Sequence, residues 1–208
     1  MNLFNGLETK PTNKPMKRLS LYLFLILFTL PTPSQADDIR DLQIEGMSIG
    51  DSLLDYFTKN ELNNAHEIHN YKNNAFRYYF LSYSKAKDYE YLQITVKPED
   101  KNFLIHGIQG HIFYEKNIQD CYQKMDEVKK EIDEVLTYNG KKDKGKHPAD
   151  KTGKSKYERI NYSLSNGSGE IVCYDMSKKL EKKGKHDRLA VTLSGKEFKN
   201  WLTNSAYK

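Results

Sequence analysis

Cysteine is nearly missing from this chain of 208 residues, and the two that occur, Cys121 and Cys173, stand far apart. Neither belongs to a Cys-x-x-Cys pair, which excludes a redox-active dithiol motif. There is no Gly-x-Ser-x-Gly nucleophile elbow. No apolar run reaches the roughly twenty residues that a membrane-spanning helix needs. A strong charge of one sign is missing too. The chain carries 33 Lys+Arg against 28 Asp+Glu, but Lys10, Lys14, Lys17, Arg18 and Glu8 all fall within residues 1–36. The remainder holds 29 basic and 27 acidic residues, close to neutrality. That balance is no nucleic-acid footprint, and no nucleic-acid partner is expected.

What is present begins with an address. Met16-Lys17-Arg18 is a short basic segment, 19–30 (LSLYLFLILFTL) is mostly apolar, Pro31 and Pro33 break the run, and Ser34-Gln35-Ala36 supplies small residues. That order reads as a secretory signal peptide over 16–36, cleaved between Ala36 and Asp37, and places the protein in the periplasm or outside the cell. Residues 1–15 read as an upstream extension, with Met16 as the start. No cysteine lies near the cleavage site, so no lipid anchor is expected, nor any transmembrane segment in the mature chain. Residues 37–208 suffice for a single α+β domain or for two fused βββα modules. An even pair of cysteines in an exported chain implies one disulfide, Cys121–Cys173.

Periodicity then orders the mature chain. Residues 39–47 read as a short strand with Leu42, Ile44 and Met47 turned inward. Ser48 and Asp51 form a capping-box pattern ahead of a helix with Ile49, Leu53, Leu54 and Phe57 on one side. Asparagine-rich 60–74 reads as helix end and loop. Aromatic and β-branched residues mark strands at 76–83, 89–96 and 104–114, the last bent or bulged at Gly107 and Gly110. The best helix is 117–138, with Ile118, Cys121, Met125, Val128, Ile132, Val135 and Leu136 in one stripe. Residues 139–156 have almost nothing to bury and read as a mobile lysine-rich loop. Strands follow at 160–165, 170–176 and 188–193, with a hairpin signal at Asn166-Gly167. Ser194 and Glu197 cap a final short helix bearing Phe198, Trp201 and Leu202. The order β-α-βββ-α-βββ-α predicts an α+β fold, an antiparallel sheet with helices on one face. One six-stranded sheet and two smaller ones both fit it.

Candidate chemistry is sparse. Gly140, Gly145 and Lys146 have P-loop spacing, but His147 stands where Ser or Thr must reach magnesium, and a helix precedes the segment. Gly153-Lys154-Ser155 repeats the tail of that motif with Pro148 in place of its first glycine. His66 and His69 lie three apart, short of the metalloprotease spacing of four. His106 and His111 differ in strand parity and face opposite ways unless a bulge intervenes. Glu67, Asp88, Glu90 and Asp175 read as solvated or paired. No metal, cofactor or catalytic residue is assigned. The distinctive surface feature is Lys141, Lys142, Lys144, Lys146, Lys151, Lys154 and Lys156. They read as a solvated connection or as an electrostatic contact with an acidic envelope component or protein partner.

The segment DLQIEGMSIGDSLLDYF, with HGIQGHIFYEKNIQDCYQKMDEV, DKTGKS at 150–155, IVCYD around Cys173 and LAVTLSGKEFKNWLTNSAYK, resembles small uncharacterised secreted proteins of marine, Pelagibacter-type alphaproteobacteria. The resemblance spans nearly the whole mature chain and implies export and the two-cysteine arrangement, without an activity. The Gly46-Met47-Ser48 turn also resembles the repeat of outer-membrane assembly lipoproteins and β-lactamase-inhibitor proteins, a likeness at the level of fold. The expected function is that of a non-catalytic periplasmic or secreted binding or interaction protein. The alternatives are an envelope hydrolase using His106 or His111 with a carboxylate, and an envelope structural or assembly factor.

Overall fold

Alternating aromatic and β-branched residues produce strands, and one long apolar stripe produces the main helix. The structure, a computed structural model, describes residues 38–114, 117–137 and 140–206. The signal peptide expected over 16–36 and the extension at 1–15 lie outside the described residues. A short helix α1 (Lys59–Asn63) precedes strands β1 (Glu67–Asn70), β2 (Arg77–Leu81), β3 (Tyr91–Val96) and β4 (Ile105–Phe113). Helix α2 (Ile118–Val135) follows, then β5 (Lys141–Lys146), β6 (Lys156–Leu164) and β7 (Gly167–Asp175). A turn of helix α3 (Lys178–Glu181) leads to β8 (Arg188–Gly195) and helix α4 (Lys196–Asn204). Among the described residues no helix is long and apolar enough to cross a membrane.

All eight strands form one antiparallel sheet in the order β1-β2-β3-β4-β8-β7-β6-β5. Each half is a four-stranded meander, and β4 and β8 join them, Ile108 opposite Leu193 and Gly110 opposite Val191. Strand parity separates two faces of different chemistry. Leu92, Ile94, Ile108, Ile160, Ile171, Leu189, Val191 and Leu193 lie on one face and are buried. The N-terminal segment covers part of that face with Ile39, Leu42, Ile44, Met47, Leu53 and Phe57, and α2 covers the rest with Cys121, Met125 and Val128. Cys121 meets Cys173 of β7 at disulfide distance, with Cα atoms 6.0 Å apart, and pins α2 to the sheet.

The two helices expected to share a face take opposite ones. Helix α4 packs on the other side, where the Phe198 ring would lie 2.9 Å from any Cβ at position 107, so Gly107 is what lets it approach. Phe198 and Trp201 then meet Phe76 at ring-centroid distances of 5.0 and 5.3 Å. The helix N-cap is Gly195 rather than Ser194. Glu197 reaches instead to Lys97, 2.6 Å away.

Five other expectations change. Residues 39–47 are no strand: Glu45 and Gly46 take φ of 53° and 80°, and Ile44 and Met47 bond each other across the resulting turn. Its inward residues are nonetheless buried, and Glu45 clamps the β2–β3 connection by accepting from the amides of Lys87, Asp88 and Tyr89 at 2.8–2.9 Å. After Ser48, half of the capping box forms, Ser48 N donating to Asp51 at 2.9 Å, but only a 3-10 turn at Leu53–Asp55 follows. The helix end and loop expected over 60–74 contain the short helix α1, capped reciprocally by Thr58 and Glu61, and, unexpectedly, the exposed edge strand β1. The mobile loop expected over 139–156 contains β5, paired with β6 from Lys141–Asn161 to Lys146–Lys156. The hairpin loop is Ser165-Asn166, with Gly167 already paired to Leu164.

The disulfide closes a span of 52 residues, which by chain entropy stabilises by about 4 kcal/mol. Urea unfolding with and without dithiothreitol should show a loss of that order, matched by Cys121→Ala with Cys173→Ala; a loss below about 1 kcal/mol would mean that α2 holds to the sheet by packing alone.

Candidate binding face

The second face of the sheet is polar where a core would be apolar. Register places Asn161, Glu170, Thr192, Gln109 and Gln93 in one row across β6, β7, β8, β4 and β3. The next row towards α4 is Ser163, Ser168, Ser194, Gly107 and Thr95. Together these rows floor a cavity of about 450 Å³ whose rim includes Tyr71, Phe198 and Lys199. Every polar side chain in them except Glu170 can both donate and accept a hydrogen bond.

Internal bonds hold the floor in place. Gln109 Nε2 donates to Thr192 Oγ1 at 2.7 Å. Arg159 grips Asp143 of β5 with two bonds of 3.0 and 2.6 Å and reaches Glu170 at 3.5 Å. With its amide nitrogen facing Glu170, Asn161 donates to that carboxylate at 3.3 Å and accepts from Arg159 at 3.2 Å. Burial pushes the Glu170 carboxyl up, opposed by Arg159. The Asp143 hydrogen bond raises the guanidinium of Arg159, which stays charged at any working pH.

The two histidines of β4 share this side of the sheet. Thr95 opposes Gly107 and Val96 opposes Ile105, so His106 is the extra residue of a bulge and turns towards α4. Its Nδ1 lies 3.8 Å from Glu197, longer than a hydrogen bond, and Glu197 is held by Lys97. His111 is 5% exposed, and neither ring nitrogen has a partner among the described residues. It lies against the rings of Phe80 and Phe113 at 5.5 and 6.3 Å.

The remaining candidates are dispersed. His66, just before β1, bonds Ser82, just after β2, at 3.0 Å, and His69 of β1 stacks on Tyr78 of β2. Among the described residues, no group of three or more His, Cys, Asp or Glu side chains is arranged to hold a metal ion. Gly140 to His147 is mostly the extended strand β5, which offers no phosphate cradle. Asp150 organises 150–155, accepting from the hydroxyls of Thr152, Ser155 and Ser177 at 2.6–2.9 Å. The bonds from Thr152 and Ser155 hold its carboxyl far below the usual range. Lys142, Lys144 and Lys146 alternate along one side of the edge strand, with Lys142 paired to Glu158 at 3.3 Å. Lysines on an edge strand discourage edge-to-edge pairing with another chain, a structural use for part of the run. Lys141, on the other parity, and Lys151, Lys154 and Lys156 are exposed.

Burial, then the neighbouring Arg188 charge, push His111 down to about 3 from an ordinary 6.5. The unfolded chain binds the proton first as pH falls, so the stability of the neutral ring is complete above 6.5 and is lost between 6.5 and about 3. That loss amounts to roughly 5 kcal/mol by linkage. Burial also lowers His106 and His147, so a comparison of variants is needed to isolate one ring. Denaturant unfolding between pH 7 and 4.5 should give a flatter stability profile for His111→Phe than for the native chain. An unchanged slope would place the proton uptake elsewhere.

Comparison with known proteins found no matching family, no similar curated protein and no similar solved structure.

Proposed function

We propose that this chain is an exported, non-catalytic binding protein whose ligand lies on the polar face of the sheet. The observation that carries the reading is the row Asn161–Glu170–Thr192–Gln109–Gln93, which crosses the middle of an eight-stranded sheet. Solvent on the open face of an antiparallel sheet already favours polar side chains; what supports the reading is that these amides, hydroxyls and the carboxylate are all half-buried and line one cavity beside α4. A cavity floored by such groups is what recognition of a polar ligand requires. Export is supported by the basic-apolar-small order of 16–36 and by the cysteine pair at disulfide distance, since such bonds persist in oxidising compartments.

The hydrolase reading has less support. Its best pair, His106 with Glu197, is 3.8 Å apart, and Lys97 holds the carboxylate. His111 is buried, and among the described residues no acid or hydroxyl is bonded to it.

Replacing both members of the Gln109–Thr192 bond with apolar groups, in Gln109→Leu with Thr192→Val, should leave stability within about 1 kcal/mol of the native value. A 15N NMR screen of the disulfide-intact protein against small sugars, amino acids and carboxylic acids should perturb the side-chain amides of Gln93, Gln109 and Asn161. The same compounds should leave the double variant unperturbed. Perturbations gathered at His106 and Glu197, or absent from the sheet face, would contradict the reading.

A further inference from the structure

Beyond Glu170 on the same strand, the open face changes from neutral-polar to basic. A second cavity of about 310 Å³ opens there, walled by Lys146, His147, Tyr157, Arg159 and Tyr174, with Val172 at its floor. Arg159 lines both this cavity and the larger one, so the two are adjacent along β6 and β7. Among the described residues no carboxylate lines the smaller cavity. The acid whose charge acts on His147 is Asp150, whose oxygens are already taken by the Thr152, Ser155 and Ser177 hydroxyls.

Of the cations at this end, Arg159 is paired with Asp143 and Glu170. Among the described residues neither Lys146 nor Arg188 forms an ion pair. Arg188 lies over the Tyr174 ring at 4.6 Å and donates only to the His186 carbonyl, at 3.3 Å. A half-buried guanidinium without a counter-charge is costly to keep unless an anion joins it in the working state. The ring of His147 stands edge-on to Tyr174 at 5.5 Å. Its Nδ1 accepts from the Ala149 amide at 3.2 Å, which leaves Nε2 as the protonated, donating nitrogen.

We infer that the ligand of this face is an acidic oligosaccharide, its hydroxyls on the amide and hydroxyl rows and an acid group in the cavity of Lys146, His147 and Arg159. The inference rests on the binding reading and adds the ligand class. Side chains that donate and accept at once match sugar hydroxyls, which do the same. The main-chain groups of an extended peptide would pair with a sheet edge instead, and here one edge is the lysine strand β5. The five-strand row is about 19 Å long, four interstrand steps of about 4.8 Å, which suits an oligomer better than a single ring. Glu170 floors the larger cavity and repels an anion there, so the acid group belongs at the end without carboxylates.

The test is calorimetric titration of the disulfide-intact protein with tetragalacturonate, its methyl ester and tetraglutamate, with 15N NMR to locate each. Tetragalacturonate should bind at least about tenfold more tightly than the ester, the effect of one charge-assisted hydrogen bond. Its signals should move at both Gln109 and His147. Lys146→Gln, an exposed substitution on an edge strand, should bring the two affinities together while the ester binds as before. Equal binding of acid and ester by the native protein would overturn the acid group but keep the saccharide. Tetraglutamate binding the same residues as tightly would overturn the saccharide. Failure of all three probes to move the sheet face would overturn the inference alone, because the fragment screen judges the binding reading separately.

Discussion

The pairing of β4 with β8 is the constraint on which the rest depends. Each meander alone would be a four-stranded sheet with one apolar face and two edges. Joined antiparallel through Ile108–Leu193 and Gly110–Val191, they make one sheet, and their apolar halves become a single core under α2 and the N-terminal segment. The same register aligns Gln109 with Thr192 and Ser194 with Gly107, so the seam that completes the core also makes the polar rows continuous. Core and candidate site are opposite faces of one set of hydrogen bonds. A slip of one residue at the seam would exchange them.

Much of this is legible in the residues. The stripe from Cys121 to Val128 gives α2 and its buried side. The alternation in Leu189, Val191 and Leu193 gives β8. The two glycines of β4 announce the bulge. Three features escape a sequence reading for identifiable reasons. β5 is written almost entirely in lysine and glycine, and its strand character comes from the partner β6 rather than from its own propensity. β1 is exposed at all four residues and carries no alternation to detect. The turn at Glu45-Gly46 depends on a non-glycine residue with positive φ, held by three amides more than forty positions away in sequence.

The site escaped for a different reason. In YLQITV the apolar Leu92 and Ile94 fix the strand, and Gln93 and Thr95 between them read as ordinary solvent-facing residues. Only the sheet order, which brings β3, β4, β8, β7 and β6 side by side, turns single polar residues on five strands into one surface. The lysines are conspicuous in the sequence because they cluster within 141–156. Most of them line an exposed edge, and Lys146, which by register shares the side of Lys142 and Lys144, lines both the cavity beside Arg159 and one beside Tyr122, Glu158 and Asp175. The placement of α4 follows the same logic. Its aromatic residues find Phe76 and Tyr71 on the polar side, since the apolar side is already closed by α2.

Native-state hydrogen exchange across the β4–β8 seam is the most direct measurement of this account. The amides of Ile108, Gly110, Leu189 and Val191 should be among the slowest, opening only with global unfolding, as expected of a seam that no half can lose and stay folded. If those amides exchanged well before the β6–β7 hairpin and the β2–β3 pair, the halves would be separable units. The continuous polar face, and the ligand reading built on it, would then lack their foundation.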